Sequence, residues 1–227
     1  MKRKFHVRCE AGENLEITSK SYLSLSDLAD LGTVMGNVYH TKEEMIDCVN
    51  AFYEGMVQRS EEMKQHPNYK TGENYAYLGL PPCFLIFDEY VAFFEMLGTK
   101  ESVNLLSQLK KIVMLGRQAG YFLIVACQRP DAKYFSDGIR DNFNFRVGLG
   151  RISELGYGML FGSDVKKQFF QKRIKGRGYC DVGTSVISEF YTPLVPKGHD
   201  FLQTIGRLAQ ARQDGTATCE AKGDGTD

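Results

Sequence analysis

The sequence predicts an α/β protein with parallel β-strands at its centre. The first observation is a short, continuous apolar run, Cys83–Phe87, which follows two prolines and ends at Asp88 and Glu89. A second run of the same kind covers residues 121–127, after helical sequence that ends at Gly120. Apolar runs of this length are typical of strands buried on both faces, as in parallel sheets. Strand, long crossover and strand together predict a right-handed βαβ unit.

The composition limits the class of protein. The chain has 227 residues, 43% hydrophobic and 25% charged, which indicates a globular protein with one main domain. Its 28 basic and 28 acidic residues give no net charge, so overall basicity is no argument for nucleic-acid binding. No apolar run reaches the ~18 residues of a membrane span, and the first twenty residues lack the apolar core of a signal peptide. We therefore expect a cytoplasmic location, with the six scattered cysteines reduced.

The flanking elements are predicted from local signals. Thr41 and Glu44 have the spacing of a capping box, and apolar residues recur behind them at helical spacing, so a helix is expected from Thr41 to about Lys64. The other expected elements are short. They are a helix near 133–140, a strand at 145–149, a glycine-broken segment at 152–162, strands at 177–182 and 185–191, a terminal helix at 197–210 and a disordered tail from 211.

Polar residues follow both apolar runs at the point where each strand should end. Asp88 and Glu89 follow the first run, and Gln128, Arg129 and Pro130 follow the second. Ligands of open α/β sheets bind beyond the carboxyl ends of the strands. An apolar strand followed by Asp-Glu has the form of a Walker B motif, in which Asp holds Mg²⁺ through water and Glu orients the attacking water. The alternative is that both acids only cap the next helix.

Three ordered segments resemble the FtsK/SpoIIIE group of DNA-translocating motor ATPases. They are CFLIFDEY (83–90), LGRQAGYFLIVACQRP (115–130) and IRDNFNFRVGLG (139–150). Two further segments, SDLADLG (26–32) and GTSVISEFYTPLVPKG (183–198), resemble the conjugative-element branch of that group, the TcpA-like coupling proteins. The resemblance implies a three-layer α/β/α RecA-like P-loop NTPase core. It divides the chain into an unmatched segment 1–25, an FtsK-like ATPase domain 26–195, and a terminal helix and tail 196–227.

The resemblance also implies roles for four residues. Asp88 matches the Mg²⁺-associated acid, and Glu89 matches the presumed catalytic base. Gln128 matches the sensor glutamine that contacts the γ-phosphate from the neighbouring strand. Arg117 matches an arginine thought to reach the nucleotide of the adjacent subunit; the alternative for Arg117 is a cation that interacts with a helix C-terminus.

The sequence departs from the family pattern at the phosphate-binding loop. That loop requires G-x-x-x-x-G-K-[ST], and none of the 23 glycines is followed by lysine. In the family the loop lies upstream of the segment matched by residues 26–32, and residues 1–25 do not match it. We therefore expect an N-terminally incomplete core with little ATPase activity in the isolated chain.

The partners follow from the resemblance as expectations. They are ATP and Mg²⁺ as cofactors, double-stranded DNA as substrate, a homo-hexamer as the intact motor, and conjugative transfer as the setting. Longer relatives are expected to carry a membrane anchor in an N-terminal region without a counterpart here. The alternative function is a non-catalytic module that binds DNA or a motor subunit.

A basic patch is the sequence feature that could contact DNA. Its cations are Lys166, Lys167, Lys172, Arg173, Lys175 and Arg177, interleaved with Phe169 and Phe170. Such a patch could follow phosphates without reading the base sequence. The alternative is a solvated helix with two buried phenylalanines, and the sequence favours neither.

Overall fold

The computed structural model of the chain describes residues 5–7, 38–128, 130, 133, 135, 137–150, 152–163, 165, 176–184, 186–193 and 195–213. The strands are β1 (Phe5–Val7), β2 (Val38–Tyr39), β3 (Cys83–Phe87), β4 (Tyr121–Val125), β5 (Arg146–Leu149), β6 (Arg177–Asp181) and β7 (Ser188–Tyr191). The helices are α1 (Lys42–Gln65), α2 (Tyr90–Glu95), α3 (Thr99–Ala119), α4 (Asp137–Arg140), α5 (Glu154–Phe161) and α6 (Phe201–Gln213).

The described strands form two sheets. The first is parallel, with strand order β2-β1-β3-β4, and the second is antiparallel, with order β5-β6-β7. Strands β3 and β4 pair directly, with Leu85 opposite Leu123. The predicted βαβ unit is therefore confirmed. It places the residues that follow β3 and β4 side by side at one edge of the sheet.

Helix α1 begins at the predicted capping box. The hydroxyl of Thr41 accepts a hydrogen bond from the Glu44 N–H at 3.4 Å, and the Glu44 carboxylate accepts one from the Thr41 N–H at 3.3 Å. These bonds satisfy two N–H groups that lack partners within the helix, and they lower the pKa of Glu44. Met45, Val49 and Phe52 are fully buried, so this helix forms one side of the core.

Helix α3 ends where its sequence predicted, at a glycine. Gly120 has φ +77°, the left-handed conformation that terminates many helices. Gly116, one turn earlier, lies so close to β4 that a Cβ there would stand 2.3 Å from the carbonyl oxygen of Tyr121. These two glycines allow the chain to reverse from α3 directly into β4 and keep the helix tight against the strand.

Arg59 of α1 connects the helix to the start of both central strands. Its guanidinium donates to the carbonyl oxygens of Pro81 at 2.8 Å and Ala119 at 3.3 Å, and to the sulfur of Cys83 at 3.3 Å. It also lies over the ring of Tyr121, 4.8 Å from the centroid. Charge-assisted bonds to backbone carbonyls are stronger than neutral ones, so Arg59 stabilises the edge of the sheet opposite the acidic residues.

The two faces of the parallel sheet differ. One face, including Leu85, Phe87 and Tyr121, is buried against the core that α1 and α3 complete. The opposite face carries Phe84, Ile86, Phe122 and Ile124, which are only partly buried or exposed; Ile124 is 47% exposed. The prediction that β4 is buried on both faces is therefore wrong for the described residues. They bury one face of β4 and cover the other only in part, where the ring of Tyr75 lies 5.9 Å from that of Phe122.

The second sheet has its own small core, built from Tyr157, Phe161, Tyr179 and Ile187. The expected hairpin of the last two strands is confirmed, with Gly183 at φ +84° in the turn. The glycine-broken segment at 152–162 is instead a helix, α5, because the Ser153 hydroxyl caps it and two of its aromatic side chains are buried.

The C-terminal part agrees in part with the sequence. The terminal helix is present, shifted to Phe201–Gln213, so the expectation of disorder from 211 is wrong for residues 211–213. The remainder of the expected tail, and most of the segment 1–25, lie outside the described residues. None of the helices described here is long and apolar enough to cross a membrane.

Candidate functional site

Asp88 and Glu89 lie at the carboxyl edge of the parallel sheet, as predicted. Two backbone hydrogen bonds join the ends of the central strands there. The N–H of Ala126 donates to the carbonyl of Phe87 at 2.8 Å, and the N–H of Tyr90 donates to the carbonyl of Ala126 at 3.0 Å. The ladder therefore continues past both strands and holds the two acids and Gln128 on one rigid edge.

The Glu89 carboxylate is half-buried, and its pKa is raised. Burial is the main cause, because it penalises the charged form. The backbone N–H of Gln128 opposes this effect, the charge of Asp88 adds to it, and the N–H of Val91 makes a smaller contribution that lowers the pKa. A carboxylate held against a neighbouring strand end with an elevated pKa has the environment of a general base.

Glu89 occupies the N-cap position of α2, but its side chain forms no capping hydrogen bond. Its backbone there has φ −135° and ψ 86°. The N–H of Val91 in the first turn nevertheless lowers the pKa of Glu89, so a weak interaction with the start of α2 accompanies the contact with Gln128.

Asp88 is exposed at the same edge and can accept a metal ion from solvent. Mg²⁺ commonly binds to one or two carboxylates and completes its shell with water and substrate phosphates. Asp88 fits the carboxylate part of that ligand set. Among the described residues no group of three or more His, Cys, Asp or Glu side chains could hold a metal by itself.

Buried side chains pack next to the two acids and exclude water from that side of the site. Tyr90 is fully buried among the rings of Phe87, Phe94 and Phe135, with centroid distances of 4.6 to 5.4 Å. Burial, with a smaller contribution from the charge of Glu89, raises the pKa of Cys127 to about 12. Cys127 is therefore a neutral thiol at physiological pH. It contributes packing and no nucleophile to this site.

A cavity of about 860 Å³ opens beside Gln128 and extends to the second sheet. Its lining includes two arginines to which the sequence analysis assigned no role, Arg140 and Arg146. Arg146 donates to the carbonyls of Phe143 at 2.8 Å and Leu160 at 3.2 Å, so its guanidinium supports the cavity wall. The signal that could have identified Arg146 is the period-two pattern of β5, which separates Arg146 and Gly148 from the apolar positions.

Arg117 lies at the opposite end of the parallel strands from Asp88 and Glu89, where β4 begins. It is exposed in the last turn of α3, directly before β4 begins, whereas Asp88, Glu89 and Gln128 follow the strand ends. The five residues of β4 separate these positions by about 15 Å. The structure therefore brings the two acids and Gln128 together and leaves Arg117 apart from them.

The loop 66–82 supports the turn that carries Arg117. The side chain of Gln118 donates to the carbonyl of Glu73, and the Gln118 carbonyl accepts the N–H of Tyr75 at 3.0 Å. The DNA-contacting candidates Lys166, Lys167, Lys172 and Arg173 lie outside the described residues.

The parallel sheet and its crossover helices form an α/β core of the RecA-like kind, a fold that solved ATPase structures share. The pCW3 conjugation coupling protein TcpA, solved in its monomer form with ATPgS, has this fold, with a TM-score of 0.58 and 14% identity over 83% of this chain and 51% of that one. EssC (ATPases 2 and 3) from Geobacillus thermodenitrificans has a TM-score of 0.59 and 14% identity, over 95% of this chain and 38% of that one. At such identities the likeness shows the fold alone.

A sequence relative gives a more specific relationship. The chain is 53% identical over 203 residues to the FtsK domain-containing protein YdcQ of Bacillus subtilis (strain 168). The match covers 89% of this chain and 42% of the relative, so the chain is homologous to part of an FtsK domain-containing protein and spans less than half of its length. No family model matches the sequence.

Proposed function

We propose that this chain is part of an ATP-driven motor that translocates double-stranded DNA during conjugative transfer, and that it supplies the motor's acidic residues, Asp88 and Glu89. The observation that carries the proposal is Glu89, held with a raised pKa against the backbone of Gln128, with the exposed Asp88 beside it. Support comes from the FtsK-domain relative and from the fold of a conjugation coupling protein solved with an ATP analogue.

In this proposal each residue has a distinct task. Asp88 would hold Mg²⁺, which neutralises charge on the phosphates when it is bound. Glu89 would accept a proton from a water molecule, and Gln128 would orient the terminal phosphate from the neighbouring strand end. The exposed side chains of Asp88 and Gln128 are accessible to such a ligand, while Glu89 is partly shielded from bulk water.

The position of Arg117 favours a ring. Because it lies at the opposite edge of the sheet from the acids, it could act only on the nucleotide of another subunit. We therefore propose that Arg117 contributes in trans in a homo-hexamer that functions in the cytoplasm. The alternative, an interaction of Arg117 with the C-terminus of α3, requires no second subunit.

The isolated chain is expected to hydrolyse ATP very slowly. A phosphate-binding loop supplies backbone N–H groups and a lysine to the phosphates, and no glycine in this sequence is followed by lysine. The residues of this chain therefore fit the metal and the base but not the phosphates. Steady-state phosphate release from the purified chain should equal that of Glu89→Gln. Turnover that Glu89→Gln abolishes would contradict the low-activity proposal.

The missing phosphate-binding sequence also favours a second candidate function, a non-catalytic module that binds DNA or a motor subunit. The two candidates differ in their response to MgATP. A ligand that binds only the native state raises the melting temperature by mass action. We expect millimolar MgATP to raise the Tm of the wild type only slightly, through Mg²⁺ at Asp88, because no phosphate-binding loop contributes; the effect should be smaller still on Asp88→Asn, while Asp141→Asn, an exposed control, behaves as wild type. No shift in the wild type would favour the non-catalytic module.

A further inference from the structure

Helices α1 and α3 lie side by side on one face of the parallel sheet. The amine of Lys42 pairs with the Glu101 carboxylate at 2.8 Å, and the amine of Lys111 lies 3.4 Å from the hydroxyl of Tyr53. These contacts join residues that are 59 and 58 positions apart in the sequence. The helices therefore run in the same direction, and each residue of α3 lies level with the α1 residue 58 or 59 positions before it.

Each of the two helices carries a line of exposed residues on the side opposite its buried residues. Residues that recur at intervals of three or four lie on one side of a helix. On α1 this line contains Glu43, Asp47, Glu54 and Val57. On α3 it contains Val103, Ser107, Lys110, Met114 and Arg117. We call the first line the acidic stripe and the second line the basic stripe.

The two stripes have opposite charge, and both expose apolar side chains. Val103 is 64% exposed and Met114 is 52% exposed on the basic stripe, and Val57 is exposed on the acidic stripe. Within the part of the chain that the structure describes, Glu54, Lys110 and Arg117 form no ion pair or side-chain hydrogen bond. Each stripe therefore offers charges and apolar surface to a partner of the opposite sign.

We propose that these stripes bind a second copy of this chain, in a two-fold symmetric dimer that pairs each basic stripe with the acidic stripe of the other subunit. The second copy is the occupant that charge complementarity selects, because this chain itself carries both halves of the contact. The dimer goes beyond the proposed function and does not rest on it, since exposure and charge alone lead to it.

Two-fold symmetry gives this pairing without further assumptions. Both stripes point away from the sheet on the same side, so a two-fold axis parallel to the helices places α3 on α1 of the partner subunit. Every contact is then made twice, and the assembly closes at two subunits. A two-fold axis in the same plane but perpendicular to the helices would place acid on acid, which repulsion between like charges disfavours.

The register of the two helices matches the charges in this dimer. A two-fold axis parallel to the helices keeps every residue at its own level, so Lys110 faces positions 51–52 of the partner subunit and Arg117 faces positions 58–59. The carboxylate of Glu54 of the partner subunit then lies between the two cations along the helix axis. Met114 faces positions 55–56, next to the partner subunit's Val57, and so supplies an apolar contact at the centre of a polar interface.

The dimer and the proposed ring are alternative assemblies. In the dimer Arg117 lies beside Glu54 of the partner subunit, so it cannot at the same time contact the nucleotide of a ring neighbour. The dimer would therefore be a resting form that dissociates before a ring assembles.

The first test measures the mass of the purified chain without nucleotide by sedimentation equilibrium. Small polar interfaces are weak, so at about 100 μM protein and about 50 mM NaCl the mass should approach twice the 25.6 kDa of the chain. Salt screens exposed charges, so about 0.5 M NaCl should raise the dissociation constant at least about tenfold. A monomer at low salt, or an assembly that salt does not weaken, would overturn the proposal.

The second test exchanges the charges of the two stripes. Glu54→Lys alone, and Lys110→Glu combined with Arg117→Glu, should each weaken self-association at least about tenfold, because each variant places like charges in contact. An equimolar mixture of the two proteins should form a heterodimer about as tightly as the wild type self-associates, since both of its contacts again join opposite charges. Recovery in the mixture also shows that the variants are folded. A mixture that stays monomeric would contradict the pairing of the two stripes.

A matched control and a cross-link locate the contact. Lys197→Glu makes the same charge change at an exposed position outside both helices and should leave the dissociation constant within about twofold of the wild type. With Val57→p-benzoylphenylalanine, irradiation should join position 57 to Met114 or its neighbours in α3 of the other subunit, as mass spectrometry of mixed isotope-labelled and unlabelled protein can show. Cross-links to α1, or none between subunits, would overturn the two-fold arrangement.

These results can be separated from those of the motor. Dimerisation is measured without nucleotide, so a salt-sensitive dimer with the expected cross-link supports this proposal even if the chain never hydrolyses or binds ATP. A chain that binds MgATP and remains a monomer would support the proposed motor and overturn the dimer.

Discussion

Glu89 is held in an environment that lowers the stability of the folded state when its carboxylate is ionised. Its folded pKa is raised above the ordinary 4.5, mainly by burial, so the folded state binds a proton more tightly than the unfolded state. The resulting loss of stability is absent below pH 4.5. It grows as the pH rises and is complete once the pH exceeds the folded pKa. At neutral pH the ionised carboxylate is therefore a source of instability that a catalytic role would explain.

Glu89→Gln should accordingly raise stability at pH 7, by less than about 1 kcal/mol because solvent screens a half-buried charge. The gain should shrink as the pH is lowered toward 4.5, where the wild-type carboxyl is itself protonated. Urea unfolding at several pH values measures both effects. Glu61→Gln, an exposed change on α1, is the control. A Glu89→Gln variant that is less stable than wild type at pH 7 would show that hydrogen bonds to the carboxylate outweigh its burial.

At the scale of elements, the turn between α3 and β4 depends on one glycine. Gly120 has φ +77°, and a Cβ at this position would lie 2.5 Å from the ring of Tyr75. Gly72 has a similar φ of +92° but has nothing within 4 Å of an added Cβ. A comparison of alanine variants at Gly72 and Gly120 therefore separates the conformational cost of a left-handed residue from the cost of a steric clash.

Gly72→Ala should destabilise the protein by about 1 kcal/mol, the cost of the left-handed conformation alone. Gly120→Ala should cost about 1–3 kcal/mol more, because Tyr75 must move as well. Thermal or urea unfolding of both variants gives the comparison. Equal losses would mean that Tyr75 moves away freely, and the loop 66–82 would then not support the turn that carries Arg117.

The elements that the sequence predicted well are those with local signals. Helix α1 has a capping box, and β3 and β4 are apolar runs with sharp ends, so each could be recognised from a few adjacent residues. Strands β1 and β2 have only three and two residues, and their pairing depends on distant partners, so no periodicity could reveal them. Helix α5 contains Gly156 and Gly158, and burial of Tyr157 and Phe161 outweighs their low helix propensity.

Some residues of the candidate site could also be predicted from sequence, and others could not. Asp88, Glu89 and Gln128 could be placed together from sequence, because parallel strands end at a common edge. The wall of the cavity beside Gln128 could not be predicted, because Arg146 and Leu149 reach it only through the pairing of β5 with β6, a contact across about thirty residues. The exposure of Ile124 was also unpredictable, since an apolar run indicates burial but not which neighbours supply it.

At the scale of the whole molecule, the two sheets have cores of very different size. The core around β3 contains nineteen buried residues, whereas the core around β6 contains four among the residues described. The cavity of about 860 Å³ lies between the two sheets, beside β4 and β5. Stability need not be uniform in such a molecule, since a unit with few buried contacts can open while the rest stays folded.

The second sheet should therefore open before the first. In native-state hydrogen exchange with increasing urea, the amide of Tyr179 in β6 should report a smaller opening free energy than that of Leu85 in β3. Phe161→Ala should lower the value for Tyr179 by about 3 kcal/mol and leave that of Leu85 nearly unchanged, while Phe93→Ala in the larger core should lower that of Leu85. A single value shared by both amides would show that the sheets unfold together.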